Sequence, residues 1–212
     1  MLSFTILFQG CASLHLPEYK PQTIDRYPHA QVKDGLAIAA NPLIDKEEVV
    51  KYFGADLLSL DVLPVLVVAE NRSLSSSFVL SKEQFSLKGG KLLDETARRQ
   101  MGSTARSDAR TTENAIAAGL VVGAIVTLTP ALLLVPVIPK ATSDAKAIQH
   151  SFVVKELQTR TISPGSLVHG FVYFKLPAKT VDPDVWIVHA EVRDLESKDV
   201  KSFDFAFAFQ RE

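Results

Sequence analysis

The sequence predicts a mainly β protein: an antiparallel two-sheet sandwich with one short helix and an inserted hydrophobic helical segment. Three observations carry that expectation. From residue 35 onward, short apolar and β-branched runs recur, divided by Pro, Gly, Asn and Ser. Two runs toward the C-terminal end, VWIVHAEVR and KSFDFAFAFQ, alternate with period two. Between these β-like halves lies AIAAGLVVGAIVTLTPALLLVPVIP, residues 115–139, with no charge in 25 positions.

GLAIAANPL reads as a first strand ended by Asn41 and Pro42. DKEEVVKYFG follows as a helix, with Asp45 as N-cap, Glu48 in the capping-box position and Gly54 as terminator. VLPVLVVAEN, residues 62–71, is apolar throughout, as a strand buried on both faces should be, and Pro64 sits near its entrance. SSFVLSKEQFSL gives two short strands around Ser81 to Glu83. Beyond the uncharged stretch, SFVVKELQTRTISPGSLVHGFVYFKLP supplies a strand, a turn at Ser163, Pro164 and Gly165, and a strand across His169 to Leu176. In the last two strands one face carries Trp186, Val188, Ala190 and Val192, and the other strand presents Phe203, Phe205, Phe207 and Phe209. DLESKD joins them as a polar hairpin connection.

Seven or eight such strands at this spacing suggest a sandwich with the four phenylalanines between the sheets. The order of elements resembles an immunoglobulin-like β-sandwich. VLPVLVVAEN with its following Ser73, and TISPGSLVHGFVYFKLP, are similar to segments of small immunoglobulin-like domains attached to bacterial membranes. That resemblance covers residues 35–90 and 150–210, lacks the Cys, Trp, Cys signature of antibody domains, and implies a fold and no activity.

At the amino end, Leu2, Phe4, Ile6, Leu7 and Phe8 form an apolar run that closes on Gly10 and Cys11, the lone cysteine. FQGC resembles the lipobox of bacterial lipoproteins, in which the cysteine is lipidated and becomes the mature amino terminus. The resemblance implies a signal-peptide remnant at 1–10, acylation (palmitate among the chains) at Cys11, and a membrane lipid as partner. No Lys or Arg precedes the run, which a start upstream of Met1 would explain. The alternative is a buried strand with Cys11 as a small core residue. Residues 11–34, with Pro17, Pro21 and Pro28 and no sustained period, read as a linker to the body at 35–212.

The insertion is bounded at about 91–148. Its uncharged core is long enough to cross a hydrocarbon layer of about 30 Å, for which roughly 20 helical residues suffice. Pro130, Pro136 and Pro139 restrict a well-formed helix to Thr112 through Thr129. A single crossing would divide a sandwich whose strands lie on both sides, so a re-entrant or partly inserted segment on the side of Cys11 is the favoured reading. Gly119 and Gly123 have the spacing that lets two membrane helices approach closely. With Leu120, Val121, Leu132 and Leu133 they are the candidate membrane-contact or helix-packing residues for a protein partner or self-association. Arg98, Arg99, Arg106 and Arg110 before the segment, and Lys140 and Lys146 after it, suit anionic head groups or a plain solvated loop.

The formal charge of -1, from 23 basic and 24 acidic side chains, gives no broad attraction for nucleic acid. One cysteine forms no intrachain disulfide and no multi-cysteine metal site. No phosphate loop, HExxH or GxSxG occurs. His189 and Glu191 share a strand face and could in principle meet His169 as metal ligands, but a solvent-facing sheet surface is the favoured reading. Asp194, Glu196 and Asp199 sit at a hairpin tip that could take a cation or only water. Asn71, Arg72 and Ser73 match a glycosylation acceptor by coincidence. The expectation is a non-enzymatic lipoprotein without metal or cofactor: a structural or protein-interaction module at the periplasmic face of a bacterial membrane. Ala12 after the cysteine suggests the outer membrane. The alternative is an integral accessory subunit of a larger membrane complex, with 112–139 as a transmembrane helix.

Overall fold

The computed structural model describes residues 16–93, 148–177 and 184–210, which form a mainly β body of two antiparallel sheets. The first sheet has the order β1-β2-β3-β8-β6: β1 (Gln31–Lys33), β2 (Leu36–Pro42), β3 (Val62–Asn71), β8 (Leu167–Lys175) and β6 (Lys91–Leu92). The second runs β10-β9-β4-β7: β10 (Val200–Phe207), β9 (Trp186–Asp194), β4 (Phe78–Leu80) and β7 (Arg160–Ile162). β5 (Phe85–Leu87) follows β4 along the same edge of β9. Two helices, α1 (Lys46–Phe53) and α2 (148–155), lie on the side of the first sheet away from the second.

Sequence alternation decides which faces meet. Trp186, Val188, Ala190 and Val192 of β9, with Phe203 and Phe205 of β10, are at most 1 % exposed. They pack against Ile38, Leu63, Val65, Val67 and Phe174 of the first sheet. Each of the larger side chains contributes about 1.5–3 kcal/mol of burial, so this layer is a major source of cohesion. β3 is buried on both faces as its unbroken apolar run requires: Val65 and Val67 face the second sheet, and Leu66 and Val68 face the helices. Pro64 occupies a position where its missing donor is tolerable. Its carbonyl takes the Leu43 amide at 2.9 Å just beyond the end of β2.

The outer layer is aromatic. Asp45 caps α1 by accepting the Glu48 amide at 2.8 Å, and Gly54 ends the helix at φ 71°, a left-handed conformation suited to glycine. Val49 and Phe53, four residues apart, face the sheet. The Phe53 ring lies 5.6 Å from Phe152, 5.1 Å from Phe171 and 5.8 Å from Tyr173. Lys155 on α2 donates to the Tyr52 carbonyl at 2.9 Å, which ties the two helices together.

Two segments depart from the sequence expectation. SFVVK, read as the start of a strand, lies in α2, and the strand before the Ser163 turn is confined to Arg160–Ile162. Its β-branched pair Val153 and Val154 is solvent-exposed, while Ile148 and Phe152, four apart, are buried against the aromatic layer. Helical spacing of two anchors outweighs local β propensity there. The second departure is in the expected linker: Ile24 and Tyr27 are buried and β1 pairs with β2, so the stretch from Ile24 to Lys33 belongs to the body. Gln31 and Lys33 of β1 reach the carbonyls of Asp204 and Ser202 and so block part of the open edge of β10.

Candidate functional site

An open, partly polar concavity lies on the outer face of the second sheet. Val79 pairs with Arg193 and Phe85 with Ala190, so residues 80–84 span the length of only Glu191 and Val192 on β9. The surplus chain folds into a short 3-10 turn at Lys82–Gln84, held by Ser81 and Gln84 in a capping box. An open depression of about 770 Å³ results, bounded by Glu83, Gln84, Ser86, His189, Glu191 and Arg193.

Its central group is His189. Nδ1 lies 2.7 Å from an Asp204 oxygen on β10, and Nε2 lies 3.4 Å from Glu191 on the same strand. The bond to Asp204 is the main cause of a pKa raised above the ordinary histidine value; Glu191 adds to it and desolvation opposes it. With a carboxylate at each nitrogen, the protonated ring is favoured. When protonated, the ring bridges Asp204 on β10 and Glu191 on β9 as a cross-strand ion clamp.

His169 does not join it. It stands on β8 beside Tyr19, Lys155 and Phe171, on the helix side of the first sheet, with the whole sandwich between it and His189. The disfavoured possibility that His169 meets His189 and Glu191 is excluded by topology: the two strands belong to different sheets and the side chains point outward from opposite faces. Desolvation chiefly lowers the pKa of His169, and Arg160 adds to the effect. The cleft there holds about 60 Å³, room for a water or two and well below the 300–1,000 Å³ of organic-ligand pockets. Among the described residues no cluster of three His, Cys, Asp or Glu side chains could hold a metal ion.

The acidic hairpin tip is also committed internally. Asp194 Oδ1 accepts the amides of Glu196 at 2.8 Å and Ser197 at 3.1 Å. Burial opposes its ionisation, but these backbone bonds win and its pKa is lowered. Glu196 accepts the Ser77 amide at 2.6 Å, fastening the hairpin to the start of β4. Asn71, fully buried, donates through Nδ2 to Ser76 at 2.7 Å and Ile162 at 2.9 Å, and accepts from the Ser73 amide and hydroxyl. A side-chain amide with both donors engaged inside the body is not a glycan acceptor in the folded chain.

Cys11, Gly119, Leu120, Val121, Gly123, Leu132 and Leu133 lie outside the described residues, as do the flanking arginines, Lys140 and Lys146. The points at which those stretches join the body are described, however, and they sit together. The Leu93 amide donates to the Tyr173 carbonyl at 2.9 Å, and the Phe152 ring lies 5.2 Å from the Tyr173 ring. Tyr173 was legible in the sequence only as one apolar position in FVYFK; its role as a shared seat depends on pairings the sequence does not display. No helix among the described residues is long and apolar enough to cross a membrane. The chain matches no family model, no curated protein and no solved structure.

Proposed function

We propose that this chain is a non-enzymatic lipoprotein, held at the periplasmic face of a bacterial membrane, whose immunoglobulin-like sandwich serves as a structural or protein-interaction module. The observation that carries the reading is the common seat of Leu93 and Phe152 on Tyr173. The stretch containing the 25 uncharged residues leaves and rejoins one folded body at one place. β6, just before it, pairs with β8, just after it. A single span through 112–139 would set these hydrogen-bonded strands on opposite sides of a bilayer, so the β6/β8 pairing favours an excursion that returns to the same side. Two helical spans need roughly 40 apolar residues, and 25 are present. A one-sided excursion satisfies both constraints, and it is compatible with a lipid at Cys11 on that side.

The order of strand pairing supports the immunoglobulin-like topology. Such sandwiches pair A-B-E-D in one sheet and C-F-G in the other. Here β2-β3-β8-β6 and the β4/β5-β9-β10 set have that order, with β1 and β7 added at edges and the insertion between the equivalents of D and E. The open, self-paired surface of the second sheet favours a binding or scaffolding role over catalysis.

Replacement of Cys11 by Ser tests the anchor. Fractionated cells should then show a shifted mass and movement toward the soluble fraction or the inner membrane. Unchanged mass and location would remove the lipoprotein assignment.

A further inference from the structure

We infer that the α1/α2 layer is the surface this body presents to the membrane, with Ile44, Val50, Val153 and Val154 entering the lipid interface and the His189 face of the second sheet turned away. The inference rests on the membrane attachment proposed above and adds an orientation to it.

Three connections toward membrane-directed segments converge on this layer. The first follows Cys11: Tyr19 packs 5.0 Å from Tyr52 and 5.4 Å, edge-on, from Phe171. Leu93, which precedes the insertion, and Ile148, which follows it, are buried in the same aromatic cluster. Two of the three tethers are short. Seven residues separate Cys11 from Tyr19 and eight separate Pro139 from Ile148, so even fully extended each spans only about 30 Å. Turning the opposite face to the bilayer would require both to pass around the body.

The chemistry of the layer agrees with its position. Ile44 is 44 % exposed, Val50 40 %, Val153 55 % and Val154 62 %. They account for four of the nine large apolar side chains exposed among the described residues, and all four lie on the helices or immediately before α1. Lys51 projects from the same helix, where a cation can meet an anionic head group, whereas Lys46 is paired with Asp56 at 2.9 Å and Glu47 and Glu48 stand in the first turn. The opposite face presents Ser86, Glu191, Ser202 and Asp204, which would be costly to desolvate against lipid.

The test uses full-length protein purified from native membranes and reconstituted in vesicles of phosphatidylcholine and phosphatidylglycerol. Single cysteines are introduced as Val50→Cys, Val154→Cys, Ser202→Cys and Leu74→Cys, each at an exposed position, and labelled with a polarity-sensitive fluorophore. The parent chain, labelled in parallel, reports any reactive Cys11. Nitroxide-bearing lipids should quench the probes at 50 and 154 at least twofold more than those at 202 and 74. Equal quenching, or stronger quenching at 202, overturns the orientation. So does shielding of 50 and 154 from a water-soluble quencher without lipid quenching, which would mean a protein partner or second copy covers the layer. Intact mass separates this result from the anchor: acylated Cys11 with lipid-free helix probes refutes the orientation alone, whereas lipid-quenched probes on a chain without acyl mass refute the lipid anchor alone.

Discussion

Replacing Asn71 by Leu should cost about 2–4 kcal/mol, although the new side chain is apolar, similar in size and placed in a fully buried site. The native amide holds together the end of β3, the crossover to β4 and the end of β7 through its bonds to Ser73, Ser76 and Ile162. Leucine makes none of these. The Ile162 carbonyl then loses a buried bond, at about 1–3 kcal/mol for an unsatisfied buried group. With Asn71 gone, the Ser73 hydroxyl can give its one proton to the Ser76 carbonyl at 2.8 Å, and Ser73 is only partly buried, so these positions add about 1 kcal/mol together. In a domain of this size each kcal/mol moves Tm by about 2–4 °C, which places the expected fall between about 4 and 16 °C. Thermal unfolding by circular dichroism, with urea unfolding for the free energy, measures it. A loss below about 0.5 kcal/mol would refute the claim that this amide fastens the crossover.

Other substitutions probe the remaining layers. Gly170→Ala places a Cβ 2.5 Å from the Leu157 Cα and 2.7 Å from its amide nitrogen, so backbone must move; we expect about 1–3 kcal/mol of destabilisation and faster amide exchange at Leu157. Phe53→Ala should cost about 3–5 kcal/mol by chemical denaturation, since it empties a fully buried position packed against three rings. The His189 clamp predicts a pH effect of defined sign. Because Asp204 raises the folded-state pKa, its stabilising contribution is complete below the unfolded value of about 6.5 and fades as pH rises through the folded value. The side chains are 37 % and 67 % exposed, which limits the effect to about 1 kcal/mol or less. An NMR titration should find the His189 pKa lowered in Asp204→Asn; an unchanged midpoint would remove Asp204 as its cause.

Elements whose local and long-range preferences agree are legible in the sequence. The alternation of KSFDFAFAFQ places Phe203 and Phe205 inside whatever the partner strand is, and the Asp45 and Gly54 caps bound α1 without tertiary information. SFVVK is harder because its residues favour a strand one at a time, while the seats for Ile148 and Phe152 exist only after β8 and α1 have assembled. Gln31, Val32 and Lys33 carry no strand signal of their own; β1 forms because β2 offers an edge. Glu191 could be placed beside His189 from their spacing. Asp204 could not, since its approach depends on the β9/β10 register, in which it lies directly opposite.

The most direct test of a one-sided, lipid-anchored body is the intact mass of the protein extracted from native membranes. The account predicts a chain that begins at Cys11 and carries acyl mass. An unmodified chain that retains Met1 would contradict it, leaving residues 115–139 as the principal anchor.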